Sequence, residues 1–132
     1  WRITKALESP LEDILSVKEG TTCFEKLSQN ATPEVMSEDS GFRLKILGTL
    51  NTVSTVQWYE FTAEPKAELV SEAHGTGSLE SLTLCTGELT VIVGDETQYI
   101  CKGDTLRFRT DVAHRLKNEG KGKAHGFMVN LL

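Results

Sequence analysis

The chain has 132 residues, room for one domain and too few for two full ones. Its 14 Lys and Arg stand against 19 Asp and Glu, a net charge of −5, so these residues lack the cation excess needed to grip a phosphate backbone by themselves. Apolar residues at 39% and charged residues at 25% describe a globular chain rather than a disordered one, and no run approaches the ~18–20 apolar residues of a membrane-spanning helix.

The first fifteen residues read as helix. Ile3, Ala6 and Leu7 recur at helical spacing, and so do Leu11, Ile14 and Leu15. Between them Ser9 suits an N-cap, Pro10 the first helical position and Glu12 the third position of a capping box. The expectation is one helix ending near Leu7 or Glu8 and a second from Pro10 to about Leu15. The chain opens on Trp1 inside the first helical pattern, with no N-cap and no initiator Met, as the tail of a longer domain would.

After Gly20 the helical period gives way to short runs rich in Val, Ile, Thr, Leu and Phe. Strands are expected at Phe42 to Leu47, Thr55 to Phe61, Glu80 to Thr86, Glu88 to Val93, Thr97 to Cys101, Thr105 to Phe108, His114 to Asn118 and Phe127 to Leu131. Asp39-Ser40-Gly41, Gly94-Asp95-Glu96, Lys102-Gly103-Asp104 and the Gly120 to Gly122 segment supply turns, and the polar stretch before Gly41 leaves room for a short strand at Val35. Many short strands at this spacing predict an antiparallel sandwich or barrel. Leu82, Leu84, Leu89, Val91, Val93, Leu106, Phe108 and Leu116 are expected to point into it. Cys23, Cys85 and Cys101 are odd in number, far apart and without a C-x-x-C pair, so neither a disulfide scaffold nor a cysteine zinc cluster is expected and the cytoplasm is the expected location. Cys85 and Cys101 fall inside strands, where burial is the default.

An extended chain points alternate residues to one side. His74, Thr76, Glu80, Leu82 and Leu84 share parity, so if the leucines face inward Glu80 does too, near the mouth of the barrel. His114 shares parity with Leu116. Two histidines and a carboxylate thus have a route to one end of the barrel, and that set is a recognised one for a divalent transition metal with open positions. A hydrogen-bonded surface histidine at a strand start is the plainer reading of the same residues. His125, on the side of Phe127 and Val129, is expected to be structural.

These residues resemble the two motifs of the cupin family, G-x5-H-x-H-x3/4-E-x6-G and G-x5-P-x-G-x2-H-x3-N. His74, Glu80 and Gly87 take their places in the first; Gly103, His114 and Asn118 take theirs in the second, with the spacing intact. Thr76 stands where the second His would be, Glu68 where the first Gly would be, and Arg109 and Asp111 replace the Pro and Gly of the second motif. The resemblance covers roughly Glu60 to Leu132. It implies a mainly β fold, the cupin jelly-roll barrel or double-stranded β-helix, after a short N-terminal helical remnant. It also implies an effector pocket at His74, Glu80 and His114, the same three residues being the expected ligands of a divalent metal such as Zn, Fe, Mn or Ni, with one of the four usual ligands lost.

Trp1 to Leu15, WRITKALESPLEDIL, is similar to the last helices of an XRE-type helix-turn-helix domain, and bacterial regulators join such a domain to a C-terminal cupin. Residues 1–16 are therefore expected to be the end of that domain and 17–132 an effector-binding and dimerisation domain. The resemblance implies a homodimer that binds a small-molecule effector and reaches DNA through a missing N-terminal domain, not through this chain. The alternative is a small metal-dependent cupin enzyme of the dioxygenase or isomerase type. A third is a ligand-free structural cupin. The helix-turn-helix stretch and the lost second His favour the non-enzymatic sensor.

Overall fold

The computed structural model describes residues 23–132, so the two expected N-terminal helices lie outside the described residues. Ten strands follow in order: β1 (Glu34–Met36), β2 (Phe42–Ile46), β3 (Val56–Ala63), β4 (Glu68–Ser71), β5 (Leu79–Thr86), β6 (Glu88–Val93), β7 (Glu96–Cys101), β8 (Thr105–Arg109), β9 (His114–Lys117) and β10 (Ala124–Leu131). Single 3-10 turns sit at Gln29–Ala31 and Leu50–Thr52. Every expected strand is present. β10 begins at Ala124 rather than Phe127, and β4 was not foreseen. Its four residues, ELVS, carry little strand signal of their own and become a strand by pairing with β9.

The strands form two antiparallel sheets, one of six in the order β1-β2-β3-β10-β5-β8 and one of four in the order β4-β9-β6-β7. Their inner faces close on a core of Phe42, Phe61, Leu82, Leu84, Leu89, Val91, Ile100, Phe108, Leu116 and Met128. The chain thus forms the mainly β, two-sheet barrel that its strand pattern implied. All eight residues expected inside are buried or packed against the core, Val93 and Leu106 only partly buried.

Alternation along β6 is less clean than the pattern required, because Thr90 on its outer face is also buried. No register slip is involved: Leu89 still pairs with Ile100 and Val91 with Leu116. Glu119 from the β9–β10 loop folds over Thr90 and accepts its hydroxyl at 2.8 Å. The cysteines also depart from expectation. Cys85 is half-buried and Cys101 is exposed, on the outer face of edge strand β7, where its thiol lies 3.4 Å from Asp104 Oδ2.

Two glycines are required by the packing. Gly87 joins β5 to β6 at a φ of 86°, and a Cβ there would lie 2.8 Å from the Ala124 backbone. Gly126 sits at a bulge where β10 crosses between β3 and β5, and a Cβ would lie 2.2 Å from the Thr83 carbonyl oxygen. Among the described residues no helix is long and apolar enough to cross a membrane.

Candidate functional site

Two loops at one end of the barrel are laced together. The His74 amide donates to the Thr110 carbonyl at 2.7 Å, and the Thr110 amide donates to the Ser78 carbonyl at 3.0 Å. The buried Thr110 hydroxyl lies 2.9 Å from Ser78 Oγ and 3.3 Å from Asn130 Oδ1. Outside this knot, Arg109 grips Asp111 through two nitrogens at 2.9 and 2.7 Å, and Asp111 accepts the Gly77 amide. The Arg109 and Asp111 that replace the Pro and Gly of the family motif therefore hold the loop by an ion pair where a fixed backbone would otherwise do so.

The lacing sets His74 beside His114, the first residue of β9. Their rings meet edge to face with centroids 5.2 Å apart, and Phe108 stands 6.0 Å from His114 on another side. Glu80 enters from β5, opposite Phe108 on one neighbouring strand and Asn130 on the other. All three expected residues line one cavity of about 100 Å³, together with Tyr59, Gln57, Ser71, Asn130 and the apolar walls Leu44, Leu69, Leu116 and Met128. Parity alone foretells Tyr59 and Asn130, which share the inward side of Phe61 and Met128; the sequence reading did not use that signal. Ser71 lies on the unforeseen β4.

The electrostatics of the cavity are unusual. Glu80 is only 6% exposed, and its Oε2 has no hydrogen-bond partner among the described residues. Burial pushes its carboxyl up to about 7, because a charge there gives up water without compensation. Burial also lowers the His74 imidazole, with a smaller contribution from His114 beside it. Tyr59 is raised, first by burial and then by the Glu80 charge, and its hydroxyl donates to Gln57 Oε1 at 2.7 Å. His114 Nδ1 lies 2.9 Å from the Val112 carbonyl oxygen.

Among the described residues no group of three or more His, Cys, Asp or Glu side chains is placed to hold an ion. Thr76, in the position of the family's second His, is exposed, and the two rings that remain pack edge to face. His74, Glu80 and His114 share a cavity, but as neighbours rather than as a ligand set.

A second imidazole–carboxylate pair lies on the outer face of the six-stranded sheet. His125 Nε2 meets Glu60 Oε2 at 2.7 Å, and the His125 ring packs edge to face on Phe127. Asn118, the last residue of the second motif, is fully buried: its amide nitrogen donates to the Ala63 and Gly122 carbonyls, and its carbonyl accepts the Gly120 amide, all at 2.9 Å. It pins the β9–β10 loop to β3 and stays outside the cavity.

The cupin domain model matches residues 59–130, more than half of the chain. The chain belongs to the cupin domain family. Solved structures agree on the fold. The cupin domain of an XRE family transcriptional regulator from Enterobacter cloacae is 20% identical, with a TM-score of 0.64 over 70% of this chain and 97% of that one. An HTH_3 family transcriptional regulator from Vibrio cholerae is 16% identical, with a TM-score of 0.66 over 100% of this chain and 69% of that one. A predicted oxalate decarboxylase from Thermotoga maritima is 14% identical, with a TM-score of 0.62 over 82% of this chain and 99% of that one. No match was found among curated protein sequences.

Proposed function

We propose that this cupin is the effector-sensing and dimerisation domain of a bacterial DNA-binding transcriptional regulator, with a small molecule bound beside His74, Glu80 and His114. The observation that carries the reading is the joining, in one chain, of a helix-turn-helix-like stretch at Trp1 to Leu15 and a barrel whose cavity ends in an unpartnered buried carboxyl. A buried carboxyl oxygen without a partner among the described residues suits a ligand that donates to it. The likeness to the Vibrio cholerae regulator, which covers all of this chain and 69% of that one, supports the same arrangement.

In this reading residues 1–16 end the DNA-binding domain, residues 17–132 sense the effector in the cytoplasm, and DNA is read upstream, since the acidic chain is poorly suited to that contact. The unpaired edges of β1, β4, β7 and β8 offer strands for a homodimer that would space two reading heads along a duplex. Metal-dependent catalysis is the rival reading. Against it stand Thr76 in place of a ligand and the lack of a three-residue ligand set among the described residues.

For the cavity to switch DNA binding, the effector must bind the two states unequally. A typical coupling shifts operator affinity about 5- to 150-fold. The test is operator binding by the full-length regulator with and without a metabolite panel, in wild type and in the His74→Ala, His114→Ala double variant. An effector that shifts wild-type affinity and not the variant's supports the reading; a wild-type-like response in the variant overturns it.

A further inference from the structure

We infer that the cavity takes a short primary amine in its ammonium form, held between Glu80 and His114, rather than a metal ion. The inference rests on the sensing reading for its biological use and deepens it by naming the ligand class. It follows from an inventory of donors and acceptors. Glu80 Oε2 is buried, lines the cavity and has no partner among the described residues. The Val112 carbonyl oxygen only accepts, so the hydrogen 2.9 Å away belongs to His114 Nδ1, and in that tautomer of an uncharged imidazole Nε2 carries the lone pair. The His74 ring has no hydrogen bond to any described residue, and the Tyr59 hydroxyl hydrogen is committed to Gln57.

Glu80 Oε2 is thus a buried acceptor without a donor among the described residues, and the missing component at that atom is a donor. An ammonium group supplies three hydrogens and a positive charge to a carboxylate that has neither. A carboxylate ligand would set two more acceptors against those present. A metal would satisfy the same lone pairs, but it needs several of them about 2.0–2.2 Å from one point, and no such group is placed for it among the described residues.

Size and lining narrow the class. A cavity of about 100 Å³ has room for a small ligand of a few heavy atoms and not for a large one. Leu69, Leu116 and Met128 suit a short carbon tail, and Ser71 and Asn130 can donate to a hydroxyl on it.

The experiment titrates the 132-residue chain with three probes of similar size, 2-hydroxyethylammonium, ethylene glycol and glycolate, and separately with zinc and manganese ions. Calorimetry reads affinity, and the imidazole resonances read the place of binding. The ammonium is expected to bind at least tenfold more tightly than the neutral and anionic probes. It should move the His74 and His114 resonances and leave those of His125. Glu80→Gln should weaken it tenfold or more, while Glu60→Gln on the outer face leaves it unchanged. The imidazole readout needs only wild-type protein, so the test survives a Glu80 variant that folds poorly. Glycolate or glycol binding as tightly, a metal seated on both imidazoles, or an absence of ammonium binding overturns the ligand class. The sensing reading is judged separately by the operator assay, which an unknown effector of another class can still pass.

Discussion

The six-stranded sheet carries a carboxyl–imidazole arrangement on each face, and the two are solved differently. Outside, Glu60 and His125 meet diagonally across β3 and β10, both about one-third exposed, and close on one another at 2.7 Å. Inside, Glu80 is buried within the same sheet, two imidazoles share its cavity, and still Oε2 has no partner among the described residues. The outer pair is complete within the chain and half-solvated, so it costs the fold little and contributes little. The inner carboxyl carries a cost, since no hydrogen bond from a described residue compensates Oε2 for its lost water. A fold that keeps such a group gains nothing in stability from it.

The largest expected effect tests that cost directly. The folded state holds the Glu80 proton up to about 7, whereas the unfolded chain releases it near 4.5. Stability is therefore fully present below 4.5 and falls as pH rises through 7, by at most about 3 kcal/mol for a shift of this size. Glu80→Gln should remove that slope and leave the domain more stable than wild type on the alkaline side. Urea unfolding on either side of the window measures it, and an unchanged slope in the variant would mean that Glu80 is not the cost described.

Asn118 sharpens the contrast, being as buried as Glu80 but paired at both ends of its amide. Asn118→Ala leaves two carbonyls and one amide without their partner, so it should destabilise by about 2 kcal/mol, the opposite sign to Glu80→Gln. Thermal unfolding of the two variants side by side reads the difference. The smallest effect belongs to the outer face: Glu60→Gln should cost under about 1 kcal/mol by the same measurement. A cost as large as that of Asn118→Ala would show that the outer pair is not the lightly held contact its exposure implies.

Much of the barrel was readable in the chain because strand burial has a period of two. Leu82, Leu84, Leu89, Val91 and Leu116 announce their side by alternation, and Glu80 and His114 inherit theirs by parity. β4 was not readable, since four residues with two adjacent apolar ones have no period to show. Thr90 broke the alternation because Glu119, which covers it, comes from a loop 29 residues away. Cys101 went wrong for a related reason: residence in a strand says nothing about whether the strand lies at an edge, and β7 does.

By itself the sequence determined the succession of short strands, the glycine turns between them, which residues face inward, and that His74, Glu80 and His114 belong to one end of the barrel. These are local quantities, set by backbone chirality, side-chain alternation and turn chemistry. The tertiary structure alone decided that the three residues meet around one small cavity, that Glu80 Oε2 is left without a hydrogen-bond partner among the described residues, and that His125 is spoken for by Glu60. Those outcomes depend on which strands lie side by side and how deeply each side chain is taken out of water. Distances across sheets and the loss of hydration arise only when residues far apart in the chain are brought together, so no spacing within the sequence encodes them.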